Sequence, residues 1–157
     1  MLTYLPTIPD GSVIEYQTVI PYTALSSSQY TYSVLIVGLP VNYVVCGTCI
    51  RLVSQFTGST LTSLTCSLGA FVPNTILTDL TFYCMSYELT QLASSQSLQT
   101  SGPPANNFTD HTDLYSPATG LYFNGPHDVA AYFTAIGTTL NNLTAGSVEC
   151  TVLIRPL

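Results

Sequence analysis

Along residues 147–155 the chain alternates strictly, with Val148, Cys150, Val152 and Ile154 on one side and Ser147, Glu149, Thr151 and Arg155 on the other. A two-residue period is the pattern of a strand with one face in a core. The same period runs through residues 12–20, where Ile14, Tyr16, Thr18 and Ile20 oppose Val13, Glu15, Gln17 and Val19, and Glu15 and Gln17 mark the wetter face. It returns in residues 61–68, where Leu64, Cys66 and Leu68 oppose Ser63, Thr65 and Ser67, and again in residues 128–136. Residues 30–37 are rich in aromatic and β-branched types and predict a further strand. Residues 41–56 predict one long strand or two, with Gly47 a candidate bulge. Residues 79–85 predict strand, while residues 87–92 fit a short helix or another strand. Nowhere does a helical stripe with a period of about 3.6 residues persist.

Turn formers separate these segments. Pro21, the serine run at 26–28 and Gly38-Leu39-Pro40 each break a strand, and residues 57–60 have the length of a hairpin connection. Gly137 and Gly146 bracket the last connection. Residues 1–11 read as an N-terminal arm, with Pro9-Asp10-Gly11 closing it. Residues 94–119 are polar, carry Pro103, Pro104 and Pro117, and have few apolar anchors beyond Phe108, Leu114 and Tyr115. They predict a long loop excursion from the domain, a length of loop that is usually functional or disordered. The fold expected is all-β, an antiparallel β-sandwich or jelly roll over residues 12–157.

Composition narrows the role. The 157 residues are 46% hydrophobic and 6% charged, against roughly 25% charged in an ordinary soluble domain. Arg51 and Arg155 are the two strong cations, there is no lysine, and the net charge is −6. Two arginines cannot displace counterions along a phosphate backbone, so nucleic acid is not expected as a partner, and neither is an anionic membrane surface. The longest apolar stretch, 34–41, is broken by Gly38 and Pro40 and is far short of the roughly 20 residues that span a bilayer. The N-terminal residues lack the basic and apolar regions of a signal peptide, so synthesis in a cytoplasm is expected. A surface of Ser, Thr, Asn, Gln and Tyr with so little charge suits a subunit whose faces are covered by neighbours. Eleven tyrosines offer flat, amphipathic contact area, though Tyr also fills strands for its own sake.

Candidate chemistry is sparse. Cys46 and Cys49 form a C-x-x-C, but they lie in a predicted strand, where residues three apart point to opposite faces. With Cys66, Cys84 and Cys150 they read first as buried free thiols, ahead of a disulfide or a metal or redox role. The acid and histidine groups Asp110, His111 and Asp113, with His127 and Asp128 further on, are weak candidates for a divalent metal site or for Asp–His acid–base work. Their turn-forming neighbours favour polar turns instead. The carboxylates Glu15, Asp79, Glu88, Asp110, Asp113, Asp128 and Glu149 show no spacing that nominates a glycosidase pair. No nucleophile elbow or phosphate loop is present, so no catalytic residue and no cofactor is expected.

One resemblance adds to this reading. Residues 49–58, followed by 61–69, resemble a strand–hairpin–strand of small tailed-phage virion proteins, and residues 131–137 with 140–148 look like the C-terminal hairpin of the same group. The resemblance covers about a third of the chain and implies a virion structural protein of sandwich or jelly-roll fold. Capsid cement or decoration proteins and small head or tail accessory proteins are the types it implies. Partners implied are the major capsid protein or other virion proteins, together with further copies in a dimer or trimer. A tail, fibre or baseplate component binding a host-surface glycan or protein is the alternative, and a virion-associated glycan hydrolase is disfavoured. Cysteines at strand positions that usually hold Val or Ile depart from the group's pattern.

Overall fold

The alternating segments become eight strands in a computed structural model that describes residues 13–39, 43–71, 78–90, 99–100 and 127–156. They are β1 (Ile14–Pro21), β2 (Thr31–Leu39), β3 (Tyr43–Gly58), β4 (Ser63–Phe71), β5 (Thr78–Glu88), β6 (Gln99–Thr100), β7 (His127–Ile136) and β8 (Leu143–Pro156). Short 3-10 turns at Tyr22–Leu25 and Leu140–Asn142 are the helical elements among the described residues. The strands form two antiparallel four-stranded sheets, one in the order β1-β8-β3-β6 and the other in the order β2-β7-β4-β5. The protein is an all-β sandwich, as the two-residue period predicts.

The core is the set of inward residues that the alternation marks. Val148, Cys150, Val152 and Ile154 of β8 are fully buried, and Leu64, Cys66, Leu68 and Ala70 of β4 meet them from the other sheet. Phe56 and Phe133 are buried as well. Each large apolar side chain withdrawn from water in this way contributes about 1.5–3 kcal/mol. Within the stretch 41–56 the described residues, from Tyr43 on, form one strand, and its register against β8 steps between Val45 and Gly47, where the sequence predicts a bulge. Tyr87 and Glu88 end β5, so the start of 87–92 continues a strand.

Two expected hairpins are something else. β3 and β4 belong to different sheets, and so do β7 and β8. Residues 57–60 and the connection after Ile136 are therefore arches that carry the chain across the sandwich. Alternation marks which residues are buried but not which strand lies beside which, so a short polar connection reads alike in both cases. Among the described strands, β4 and β5 are the consecutive pair that lie side by side.

The two arches grip each other at one end of the sandwich. Thr62 N–H donates to Ile136 O at 2.8 Å, and Thr60 Oγ1 donates to Gly137 O at 2.8 Å. Gly137 has φ +94°, and a Cβ there would stand 2.3 Å from Thr60 O. Only glycine fits that close approach. The strand ends that lead to residues 1–12, 40–42, 72–77 and 101–126 lie at the opposite end. The predicted arm at 1–11 lies outside the described residues. So does the predicted excursion at 94–119, apart from Gln99 and Thr100, which pair with Ile50 and Cys49 of β3.

β5 is the irregular strand. It uses the stretch from Cys84 to Asp79 to cover the β4 step from Leu68 to Ala70. The surplus folds over the outer face above Gly69, where an added Cβ would lie 2.5 Å from Asp79 O. Ser67 Oγ fastens it by donating to Leu80 O at 2.7 Å. The same bulge turns Tyr83 into the interior, where it is 1% exposed.

Candidate assembly surfaces and a buried polar cluster

Of the acid and histidine candidates, Asp110, His111 and Asp113 lie outside the described residues. His127 and Asp128 open β7, and neither stands in a turn. His127 pairs with Leu39 and faces the core, 2% exposed, while Asp128 lies on the other face between Gly38 and Phe71. Alternation within β7 therefore separates the two side chains. The strand takes in His127, one residue before the predicted start, while Asp128 falls within the predicted strand 128–136. No group of three His, Cys, Asp or Glu residues placed to hold a metal exists among the described residues.

His127 belongs to a buried polar chain that the sequence did not reveal. Tyr83 Oη and His127 Nε2 share a hydrogen bond of 2.5 Å, and their rings stack at 5.9 Å between centroids. Thr48 of β3, fully buried, donates its hydroxyl to Tyr83 O at 2.8 Å, and Phe82 packs edge-on to the Tyr83 ring. The chain runs from one sheet to the other through an otherwise apolar interior. Buried polar groups are costly unless paired, and these pair with one another. Their burial keeps substrates away and fits a structural role. Gly69 of β4, which lies under the β5 bulge, was the available signal, but residues 79–85 read as plain strand without their partner.

The carboxylates are also engaged. Glu88 accepts from Ser63 Oγ at 2.6 Å, Leu64 N–H at 3.2 Å, Thr90 N–H at 3.0 Å and Thr90 Oγ1 at 2.5 Å. Burial alone would raise its carboxyl, but the hydrogen bonds from Ser63, Thr90 and Leu64 outweigh it and hold the group below its ordinary range. Glu149 takes a bidentate pair from Arg51, at 3.0 and 2.9 Å, on the outer face of the first sheet. That pair, aided by Gln17 and opposed by partial burial, lowers the Glu149 carboxyl. Asp79 accepts from Thr81 N–H at 3.0 Å and shapes the start of β5. None of these three is paired with a second carboxylate across a cleft, as glycoside hydrolysis requires. The recess between Tyr22, Ser26, Leu140 and Leu143 holds about 210 Å³, below the usual range for a small-molecule site.

Of the five cysteines, Cys49, Cys66, Cys84 and Cys150 are buried in the interior. Burial first, then a hydrogen bond with Cys150 and the nearby Cys84, pushes the Cys66 thiol well up. Cys49 is pushed up to about 11 by burial and by the negative charge of Glu149, against a smaller pull from Arg51. Thiols held protonated in this way are poor nucleophiles and poor metal ligands.

What the molecule does display is apolar and uncharged surface. Val19 on β1, Tyr30 before β2, Tyr32 and Leu35 on β2, Val53 on β3 and Ile136 at the end of β7 are all exposed. Among the described residues no helix is long and apolar enough to cross a membrane.

No family model matches the sequence, and no curated protein matches it. Two solved structures share the fold. One is a chain of the cyanophage Pam1 capsid asymmetric unit, with a TM-score of 0.55 and 16% identity, aligned over 100% of this chain and 94% of that one. The other is a chain of the acid-stable capsid of Helicobacter pylori bacteriophage KHP30, with a TM-score of 0.53 and 14% identity, over 94% of this chain and 90% of that one.

Proposed function

We propose that this chain is a structural protein of a phage virion, and within the virion a capsid cement or decoration protein that stabilises the head through subunit contacts. The observation that carries this reading is the likeness to chains from two phage capsids over nearly the whole of each chain. The likeness runs over nearly the whole of each chain, so the two capsid chains are of about this size. Both are capsid structures, which favours the head over the tail, fibre or baseplate alternative.

The strand order supports the finer fold assignment to a jelly roll. The chain changes sheet after every strand but β4, and with β8 between β1 and β3 and β7 between β2 and β4 this order matches an eight-stranded double Greek key. The chemistry supports a role without catalysis. Glu88, Glu149 and Asp79 serve local structure, and the described thiols are buried. Exposed Tyr and aliphatic side chains among few charges supply contact area for a shell surface and for further copies.

The test is a shell assembled with and without this chain. Shells lacking it are expected to lose integrity at lower temperature and lower ionic strength, and to recover when purified protein is added back. Shells that withstand both treatments equally well without it would remove the cementing role.

A further inference from the structure

Each sheet has two edges, and an edge strand offers unpaired backbone groups to any other strand unless something blunts it. Among the described strands, three of the four edges are blunted. β3 is covered by β6 at Cys49 and Ile50, and further along Phe56 N–H donates to Leu89 O. β1 carries Glu15 and ends in Pro21. β5 carries Asp79 and Glu88 and folds out of line in its bulge. The edge of β2 differs. Residues 30–35 read Tyr-Thr-Tyr-Ser-Val-Leu, with no charge and no proline, and the register against β7 is unbroken until after Leu35. The stretch is also open, with Tyr30 55% exposed and Tyr32 and Leu35 each 43% exposed.

The ladder fixes which groups face outward. Ala135 N–H donates to Tyr30 O, so residue 30 is hydrogen-bonded to β7. Bonding alternates along an antiparallel strand, so Thr31, Ser33 and Leu35 turn their N–H and C=O to the open side. We propose that this edge takes a second copy of the chain, β2 against β2 in antiparallel fashion, to make one continuous eight-stranded sheet. A twofold axis at Ser33 matches every open group. Thr31 then meets Leu35 of the second copy, Ser33 meets its own equivalent, and each such pair exchanges both backbone hydrogen bonds. On the inner face Tyr32 comes opposite Val34 of the second copy, an aromatic with a β-branched residue.

A second copy is the occupant that the charge distribution favours. Two chains of net charge −6 repel wherever their carboxylates meet. Along 30–35 there is nothing to repel, and the residues are complementary to themselves. A strand pair this short buries little area, so a weak, concentration-dependent dimer is expected. The inference goes beyond the capsid reading and does not depend on it, because the dimer forms in solution.

Sedimentation of the purified full chain over a dilution series tests it. The chain is expected to pass reversibly between monomer and dimer. Ser33→Pro removes an N–H that β7 does not use, and Thr31→Lys puts a charge on the open edge. Each is expected to weaken the dimer tenfold or more without changing the urea midpoint, while Val19→Lys on β1 leaves the dimer as it was. A chain that stays monomeric at about 100 µM overturns the proposal, as does a dimer that both β2 variants leave intact. If the wild-type chain is monomeric and the same variants lose only their binding to shells, the edge receives a strand of the shell protein, which also overturns it.

Discussion

Glu88 joins three elements with one side chain, and its removal should be felt at all of them. Its carboxylate binds the first residues of β4 through Ser63 and Leu64, and it holds Thr90, whose carbonyl accepts from Gln55 Nε2 of β3 at 2.6 Å. Hydrogen bonds to a charged group each contribute about 1.5–3 kcal/mol when sheltered. Glu88 is half-buried, so solvent replaces part of what is lost, and about 2 kcal/mol is expected for Glu88→Ala. For a chain of this length that lowers the melting temperature by about 4–8 °C. Glu88→Gln keeps the shape and loses the charge, so a smaller loss of about 1 kcal/mol is expected. The acid dependence gives the sharper check. The folded carboxyl sits below its ordinary value of 4.5, so its contribution is fully present above that pH and disappears as pH falls through the lowered folded value. The gap between wild type and Glu88→Gln should therefore be widest near neutrality and close in acid. Tyrosine fluorescence reports the urea transition cleanly, since the chain has eleven tyrosines and no tryptophan. A gap of the same size at pH 7 and pH 3 would refute the assignment of this stability to the charge.

Three further outcomes follow from the same geometry. Tyr83→Phe removes the hydroxyl from a fully buried bond with His127, and a loss of about 1–3 kcal/mol is expected in urea unfolding. A midpoint within error of wild type would show that the pair carries no net stability. Gly146 has φ +122°, and a Cβ there would stand 2.4 Å from the Phe56 ring, so Gly146→Ala should cost at least about 2 kcal/mol or abolish soluble expression. Peptide-resolved alkylation at pH 8 should leave Cys49, Cys66, Cys84 and Cys150 unmodified in the native protein and modify all four in urea. Rapid native labelling of Cys66 would contradict its place in the core.

Which residues are buried was legible in the sequence, because a strand with one wet face writes its burial at every second position. Leu64, Cys66 and Leu68 are read correctly on that basis, and so are Val148, Cys150 and Val152. Pairing was not legible. The connections at 57–60 and after Ile136 look like hairpin turns, and nothing local distinguishes a turn between neighbours from an arch between sheets. Gly137 held a hint, since its positive φ serves a contact with Thr60 that a simple two-strand turn would not need. The burial of His127 is hidden from the sequence for a related reason. Its neighbours Gly125 and Pro126 are turn formers, and the partner that buries it, Tyr83, is brought in by a bulge that depends on Gly69 lying under β5. The open edge at β2 was hidden too, because a strand's sequence does not say whether both its sides are occupied.

The order of the strands sets a condition on folding. β8 separates β1 from β3 and β7 separates β2 from β4, so the stretch from His127 to Pro156 supplies the middle rung of each sheet. Among the described strands, the six before it form only the β4–β5 and β3–β6 ladders among themselves. Such a topology is rich in pairings between residues far apart in sequence, and such pairings slow folding. Once inserted, that segment acts as a keystone: among the described strands β1 pairs with β8 alone and β2 with β7 alone, and losing it would leave loose strands in place of a reduced sandwich.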